Sequence, residues 1–345
     1  MRSWGYQLQR VDPERIAASP FDLVVVDYSR TGKDTGRFDR AEVDRMRQRP
    51  DGSSRVVLAY LSIGEAEDYR YYWRDRWVET VDVLEKASTA PAPVGAMPER
   101  APSPRLKALR VPRLSAPAWL GRESDAWPGN YLVRYWDAEW QSLIYQGADS
   151  YLARILAAGF DGVFLDRIDT FQVVSADRPS ARQDMIRLVV EIARVARRAK
   201  PDFLVVPQNG EQLLADPTYL AVIDAIAKED FLFGEEEDGR RNSPSTVSRS
   251  MRWLAPALNR GVPVLIVEYV RDQAVAEALK VDIERRGFVP YFAVRALDRL
   301  ILPGDFAAPT AEPAASSPPA AALPMSPAAK QIPPRARRLR PEGQP

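Results

Sequence analysis

Apolar and polar positions along the 345-residue chain fall into two kinds of run. Short, continuous apolar stretches rich in β-branched residues predict buried strands: FDLVVVDYS (Phe21 to Ser29), RVVLAYLSIGE (Arg55 to Glu65), GVFLD (Gly162 to Asp166), FLVVPQNG (Phe203 to Gly210), VPVLIVEYV from Val262 and GFVPYFAV from Gly287. WGYQL (Trp4 to Leu8), NYLVRYWD (Asn130 to Asp137) and IDAIAKED (Ile223 to Asp230) add three more strand-like runs. Between them, apolar residues recur at helical spacing. This predicts a short helical turn at Pro13 to Ala18 and helices over Asp39 to Gln48, over Trp140 to Leu156 with a stop at Gly159, over Ser180 to Lys200, over Thr246 to Leu258, and up to Gly287, with a short last helix from Leu297.

Strands alternating with helices imply a parallel sheet. Nine strand-like runs are one too many for an α/β fold of the (β/α)8 TIM-barrel type. The supernumerary one is NYLVRYWD, which no helix separates from the third strand and which lies in a long excursion after it. A doubly wound open sheet is the alternative, but no GxGxxG or GxxxxGK[ST] turn follows an early strand. The expected organisation is a barrel over 1–302, with a mobile Pro/Ala/Ser-rich insertion at 87–117. A Pro/Ala-rich disordered tail is expected over 303–345, where eleven of 43 residues are proline. The clustered aromatics Tyr69, Tyr71, Tyr72, Trp73 and Trp77 read either as sugar platforms or as the patch fastening the excursion to the barrel.

Composition narrows the chemistry. The chain has no cysteine and no histidine, which excludes disulfides, thiolate nucleophiles, imidazole catalysis and His- or Cys-based metal sites. Carboxylate chemistry, with no metal and no cofactor, leads by elimination. Formal charge is +1 overall, but the tail carries +2 and 85–115 carries +4, leaving −5 elsewhere. That mildly acidic body suits a cationic ligand better than a nucleic acid. RARRLR near the end, without interleaved aromatics, is weak evidence for the latter. No run is long enough to span a membrane, and no apolar export segment precedes Trp4. A monomer is expected.

The predicted strand tips carry Asp27 and Tyr28, Glu65, Asp166, Asn209, Glu229, and Glu268 with Tyr269; Asp169 follows Asp166 by three residues. Alternation puts Phe164 and Asp166 on one strand face, the lumen side of a barrel, with Asp166 at the end where barrel enzymes keep their chemistry. The plain alternative for Asp166 is a helix cap, for Glu229 a solvated acid in a KED run, and for Glu65 a turn residue. So many polar tips suit a carbohydrate site, with carboxylates for acid/base or nucleophilic steps and amides and phenols for hydroxyls. The EEED run at Glu235 to Asp238 reads as a solvated loop.

In order along the chain, WGYQLQ, FDLVVVDYS, AYLSIGEAEDYRYYW, PAWLG, WPGNYLVRYWDAEW, GFDGVFLDRID and VPQNG resemble glycoside hydrolase family 114, the endo-α-1,4-polygalactosaminidase-like family. The resemblance covers about Trp4 to Leu302. It implies a (β/α)8 barrel that hydrolyses α-1,4-linked galactosamine/N-acetylgalactosamine exopolysaccharide internally, as in galactosaminogalactan or biofilm material. It places the catalytic pair on Asp166, as nucleophile, and Glu229, as acid/base. Asp27, Tyr28, Tyr60, Glu65, Asp169, Asn209, Glu268 and Tyr269 are then candidate substrate contacts, the acids among them facing the amines of galactosamine. Extracellular or periplasmic placement is implied likewise. The insertion at 87–117 and the tail depart from the family pattern, and without histidine a synthetase-like reading is rejected. The rival of a different class is a carbohydrate-binding barrel without turnover; a barrel acting on another α-linked amino sugar would differ only in substrate.

Overall fold

The structure is a computed structural model of the chain, describing residues 1–84, 106–237, 239–270 and 272–305. The expected tail, apart from 303–305, and the part of the expected insertion before 106 lie outside the described residues.

Strands β1 (Trp4–Gln7), β2 (Leu23–Val26) and β3 (Val56–Ser62) open the chain with the short helices Pro13–Ala17 and Arg40–Arg47 between them. Arg40–Arg47 begins where expected because Asp39 and Glu42 form a reciprocal capping box. After β3 come β4 (Glu65–Glu67), β5 (Val78–Leu84), β6 (Leu106–Pro112), β7 (Leu120–Glu123) and β8 (Asn130–Val133). Strand, helix and strand then resume as β9 (Gly162–Asp166), β10 (Leu204–Pro207), β11 (Ile226–Glu229), β12 (Val264–Tyr269) and β13 (Val289–Ala293).

Eight of these strands pair only in parallel. β1-β2-β3-β9-β10 form one ladder and β11-β12-β13 another. The two meet through one parallel bridge, Gln208 to Ala227, with the Asn209 amide donating to the Ala227 carbonyl at 2.8 Å. At the other end β13 lies beside β1, where the Trp4 indole donates to the Val289 carbonyl at 3.0 Å. No ladder between β13 and β1 is formed among the described residues. The strands therefore follow chain order, with β9 paired directly to β3 and the whole excursion left outside the parallel set. NYLVRYWD is indeed excluded from that set: β8 pairs antiparallel with β4 and β7.

The interior is aromatic. Trp4, Tyr6, Phe164 and Tyr291 pack with ring centroids 5.0–6.3 Å apart. Tyr60 stands beside Phe164 in the β3–β9 register, which puts them on one face as strand alternation requires. The excursion has an aromatic core of its own: Trp73 on Tyr131, Trp77 on Trp119, and Tyr72 and Trp119 both on Trp140. Trp140 also donates to the Ile63 carbonyl at 3.0 Å, tying this cluster to the end of β3. Most of the expected platform residues are thus packing residues.

Several expectations are corrected. Residues 106–112 of the expected mobile insertion form β6, a regular antiparallel partner of β5. The helix expected over Trp140 to Leu156 is two: Asp137 caps Ala138–Gln141, the chain continues as a π turn over Ser142–Gln146, and extended Gly147 ends it before Ser150 caps Tyr151–Ala158. No helix follows Leu297 among the described residues. The Leu297 backbone is left-handed (φ 45°) and its carbonyl accepts from both Leu8 and Gln9 amides, so the segment is a strap across the end of β1. Glu65 is not the tip of β3 but the first residue of β4.

Gly64 joins β3 to β4 where there is no room for a side chain: a Cβ there would lie 2.2 Å from the Arg167 carbonyl and from Thr170 Oγ1. Gly64→Ala is expected to destabilise by about 1–3 kcal/mol, as overpacking does. It should also lower activity beyond what lost folded protein explains, because the atoms it displaces carry the turn after Asp166. Denaturant titration alongside a rate per folded molecule checks both, and a variant of wild-type stability would contradict the close approach.

Candidate active site

β9 delivers Asp166 and β11 delivers Glu229, both almost completely buried. Asp166 accepts from the Tyr60 hydroxyl at 2.7 Å and from the Arg167 amide at 2.7 Å. Glu229 accepts from the Tyr269 hydroxyl and, at 3.4 Å, from the Asn209 side-chain amide; its own N–H donates to Asn209 Oδ1 at 3.2 Å. Burial first, then the fields of Asp166 and Asp230, push the Glu229 carboxyl up to about 8, with Tyr269 and Arg295 acting the other way. The hydroxyl of Tyr6 feels both Asp166 and Glu229, which with burial push it well above the ordinary phenol range. Two buried acids within reach of each other's field, one of them driven toward its neutral form, can divide nucleophile and acid roles between them.

Three strand ends in succession close on a left-handed residue other than glycine. These are Arg167 after Asp166 (φ 60°), Asn209 (φ 59°) and Asp230 after Glu229 (φ 52°). For branched or long side chains this conformation is costly and persists only where surroundings enforce it. At Arg167 the enforcement is visible. Its guanidinium pairs with Glu65 at 2.7 Å and with Asp169 at 3.9 Å, and Thr170 donates to its carbonyl at 2.8 Å. The result turns the Arg167 amide back onto the Asp166 carboxylate.

Other expected contacts have different partners. Asp27 accepts from Arg70 at 2.8 Å, and Arg70 also pairs with Glu67 at 2.6 Å. The Arg70 side chain is fully buried, with the rings of Tyr69, Tyr151, Tyr28 and Tyr60 4.7–5.9 Å from its guanidinium carbon. Asp27 and Glu65, expected as contacts for substrate amines, each pair with a guanidinium within the protein. Tyr28 belongs to the cage around Arg70. Glu268, with no exposed surface, accepts from the Leu232 amide at 2.7 Å and so fastens the segment after β11. Asp169 lies beside Arg167, while Tyr60, Asn209 and Tyr269 touch the carboxylate pair.

Glu235, expected in a solvated loop, instead pairs with Lys228 at 3.3 Å and Arg249 at 2.8 Å. Arg70, Glu67, Arg167, Tyr6, Asp230 and Arg295 are site residues that sequence reading missed. Only Arg70, an isolated cation inside a tyrosine run, carried a usable signal.

A parallel α/β scaffold with carboxyl groups gathered at its strand ends is the class on which many carbohydrate-cleaving hydrolases are built. The chain belongs to glycoside-hydrolase family GH114, whose model matches residues 108–305. It is 33% identical over 304 residues to an uncharacterized protein of Thermotoga maritima, covering 84% of this chain and 80% of that one. It is 34% identical over 309 residues to one of Deinococcus radiodurans, covering 88% and 83%. Among solved structures it resembles the glycoside hydrolase domain of PelA from Pseudomonas aeruginosa, with a TM-score of 0.57 at 18% identity over 86% of this chain and 96% of that one. At that identity the likeness concerns the fold. No helix among the described residues is long and apolar enough to cross a membrane.

Arg70→Met would leave Asp27 and Glu67 facing each other without their cation. Breaking a buried ion pair from one side costs about 3–5 kcal/mol. A large fall in denaturation midpoint is the expected outcome, and a midpoint within experimental error of wild type would show that the cage does not hold the fold.

Proposed function

We propose that this chain is a (β/α)8-barrel glycoside hydrolase that cleaves α-1,4-linked galactosamine/N-acetylgalactosamine polysaccharide internally, as an enzyme of exported polysaccharide. The observation that carries the reading is the placement of two buried carboxyl groups, Asp166 and Glu229, at the ends of β9 and β11, with burial and the field of Asp166 holding Glu229 toward its neutral form. Glu229, protonated, gives its proton to the oxygen of the departing sugar while Asp166 attacks the anomeric carbon. The glycosidic C–O bond breaks and a glycosyl ester to Asp166 forms. Glu229, now ionised, takes a proton from water, whose oxygen displaces Asp166 and restores both groups. Tyr60 and the Arg167 amide hold the attacking carboxylate, and Asn209 and Tyr269 hold the acid. The amino-sugar specificity and the exported setting come from the family resemblance.

Glu229→Gln should keep the fold and lower kcat by at least about 10²-fold, the least expected for losing a positioned acid. Shortened oligosaccharides from partly deacetylated galactosaminogalactan, followed by mass spectrometry, provide the readout. Retention of the polymer by the wild type without cleavage would make the protein a binder instead.

The pH dependence has a defined sign. A carboxyl lifted from 4.5 to about 8 keeps its proton in the native state across that window and loses it in the unfolded chain. Stability therefore falls as pH rises from 4.5 to 8, and kcat/KM falls as pH passes 8. Glu229→Gln should be more stable than wild type at pH 8–9 and show little difference near pH 4.5. Thermal melts of both proteins across that range test it, and parallel curves would refute a protonated Glu229.

A further inference from the structure

Beside the Glu229 half of the site lies a cavity of about 520 Å³, lined by Phe233, Gly239, Tyr269, Val270, Asp272, Val275, Ala293, Val294 and Arg295. Its position is set by the ends of β12 and β13 and by the first turn of the helix Gln273–Glu284. Tyr269 belongs to both places: it lines this cavity and its hydroxyl donates to Glu229. The Arg295 guanidinium lies 4.4 Å from the centre of that ring and donates to both Asp230 oxygens at 3.1 and 3.2 Å. The lining therefore includes a cation-on-ring pair joined by hydrogen bonds to the end of β11.

The remaining surface has the character that carbohydrate needs. Val270, Val275, Ala293 and Val294 supply an apolar floor for the C–H face of a sugar ring. Asp272 and Arg295 are the charged groups of the lining, able to meet ring hydroxyls. The volume falls within the range of ordinary small-ligand pockets, roughly 300–1,000 Å³. Asp272 is exposed and caps the helix, accepting from the Val275 amide at 3.0 Å.

We propose that this cavity is a leaving-group-side subsite, seating a pyranose unit of the polymer next to the bond being cut. The assignment rests on the reading of Glu229 as the acid, because the acid stands on the side of the departing oxygen. Binding energy gathered there orients the chain and lowers the barrier only when the substrate is long enough to reach it.

Val275→Trp fills the cavity from its rim at a half-exposed helix position, and Asp272→Asn removes charge while keeping a capping side chain. Both should melt within a few degrees of wild type. On defined α-1,4-galactosamine oligomers of increasing length, Val275→Trp should lose tenfold or more in kcat/KM for the longer ones and shift the cleavage position. Asp272→Asn should lose several-fold through KM. A wild type that cleaves while both variants keep unchanged length dependence and products would overturn the subsite and leave the glycosidase intact. If the wild type cleaves nothing, the catalytic reading fails and the cavity is tested by calorimetric titration of the same oligomers. The leaving-group assignment falls with it; weaker binding to Val275→Trp would then support the cavity as a sugar site alone, and equal binding would overturn that too.

Discussion

Two carboxyl groups brought together out of water cannot both carry charge at acceptable cost, and the arrangement around Asp166 and Glu229 follows from that constraint. The cations nearby are assigned so that the difference between the two survives. Arg70 is held by Asp27 and Glu67, Arg167 by Glu65, and Arg295 by Asp230. Lys228 directly precedes Glu229, yet strand alternation sends its side chain to the other face of β11, where Glu235 takes it. Its ammonium donates to the Glu229 carbonyl at 2.6 Å, steadying the backbone of the acid without offering a counter-charge to the carboxyl. A register shifted by one residue would exchange the two and put a buried ammonium into the site.

The local signals that were legible in the chain are those that need only neighbours. Asp39, Gly159 and Pro201 bound their helices as cap and breaker chemistry requires, and alternation in GVFLD sets Phe164 and Asp166 on one face. The break at Gly147 was hidden because Trp140 to Leu156 keeps helical periodicity across it, so the new cap at Ser150 resembles an interior serine. β6 was hidden for the opposite reason: its alternation is short and sits among prolines that argue for a loop. The cage around Arg70 was out of reach altogether. Hydropathy marks arginine as exposed, and what buries it is Asp27, 43 positions earlier, and Tyr151, far later in the chain.

Chain order among the parallel strands was readable because helix separates each from the next. The excursion inserted after β3, ahead of the helix Tyr151–Ala158, reaches the candidate site. Its first strand, β4, carries both Glu65, which holds Arg167, and Glu67, which holds Arg70. Gly64 makes the tight passage from β3 into β4 feasible, and Trp140 fixes it by donating to the Ile63 carbonyl.

The aromatic core of the excursion therefore has a consequence beyond its own stability. Tyr72, Trp119 and Trp140 determine where β4 lies, and β4 determines where two buried guanidinium groups lie. One of those guanidiniums closes the left-handed turn that aims an amide at Asp166; the other packs against Tyr60, which donates to the same carboxylate. The Arg167 amide is thus aimed at Asp166 from outside the parallel strands, while Tyr60 reaches it from β3 with Arg70 against its ring. A change of packing among these rings would reach the carboxylate as a change in its hydrogen bonds before it altered the fold, because the two cations translate ring positions into donor positions.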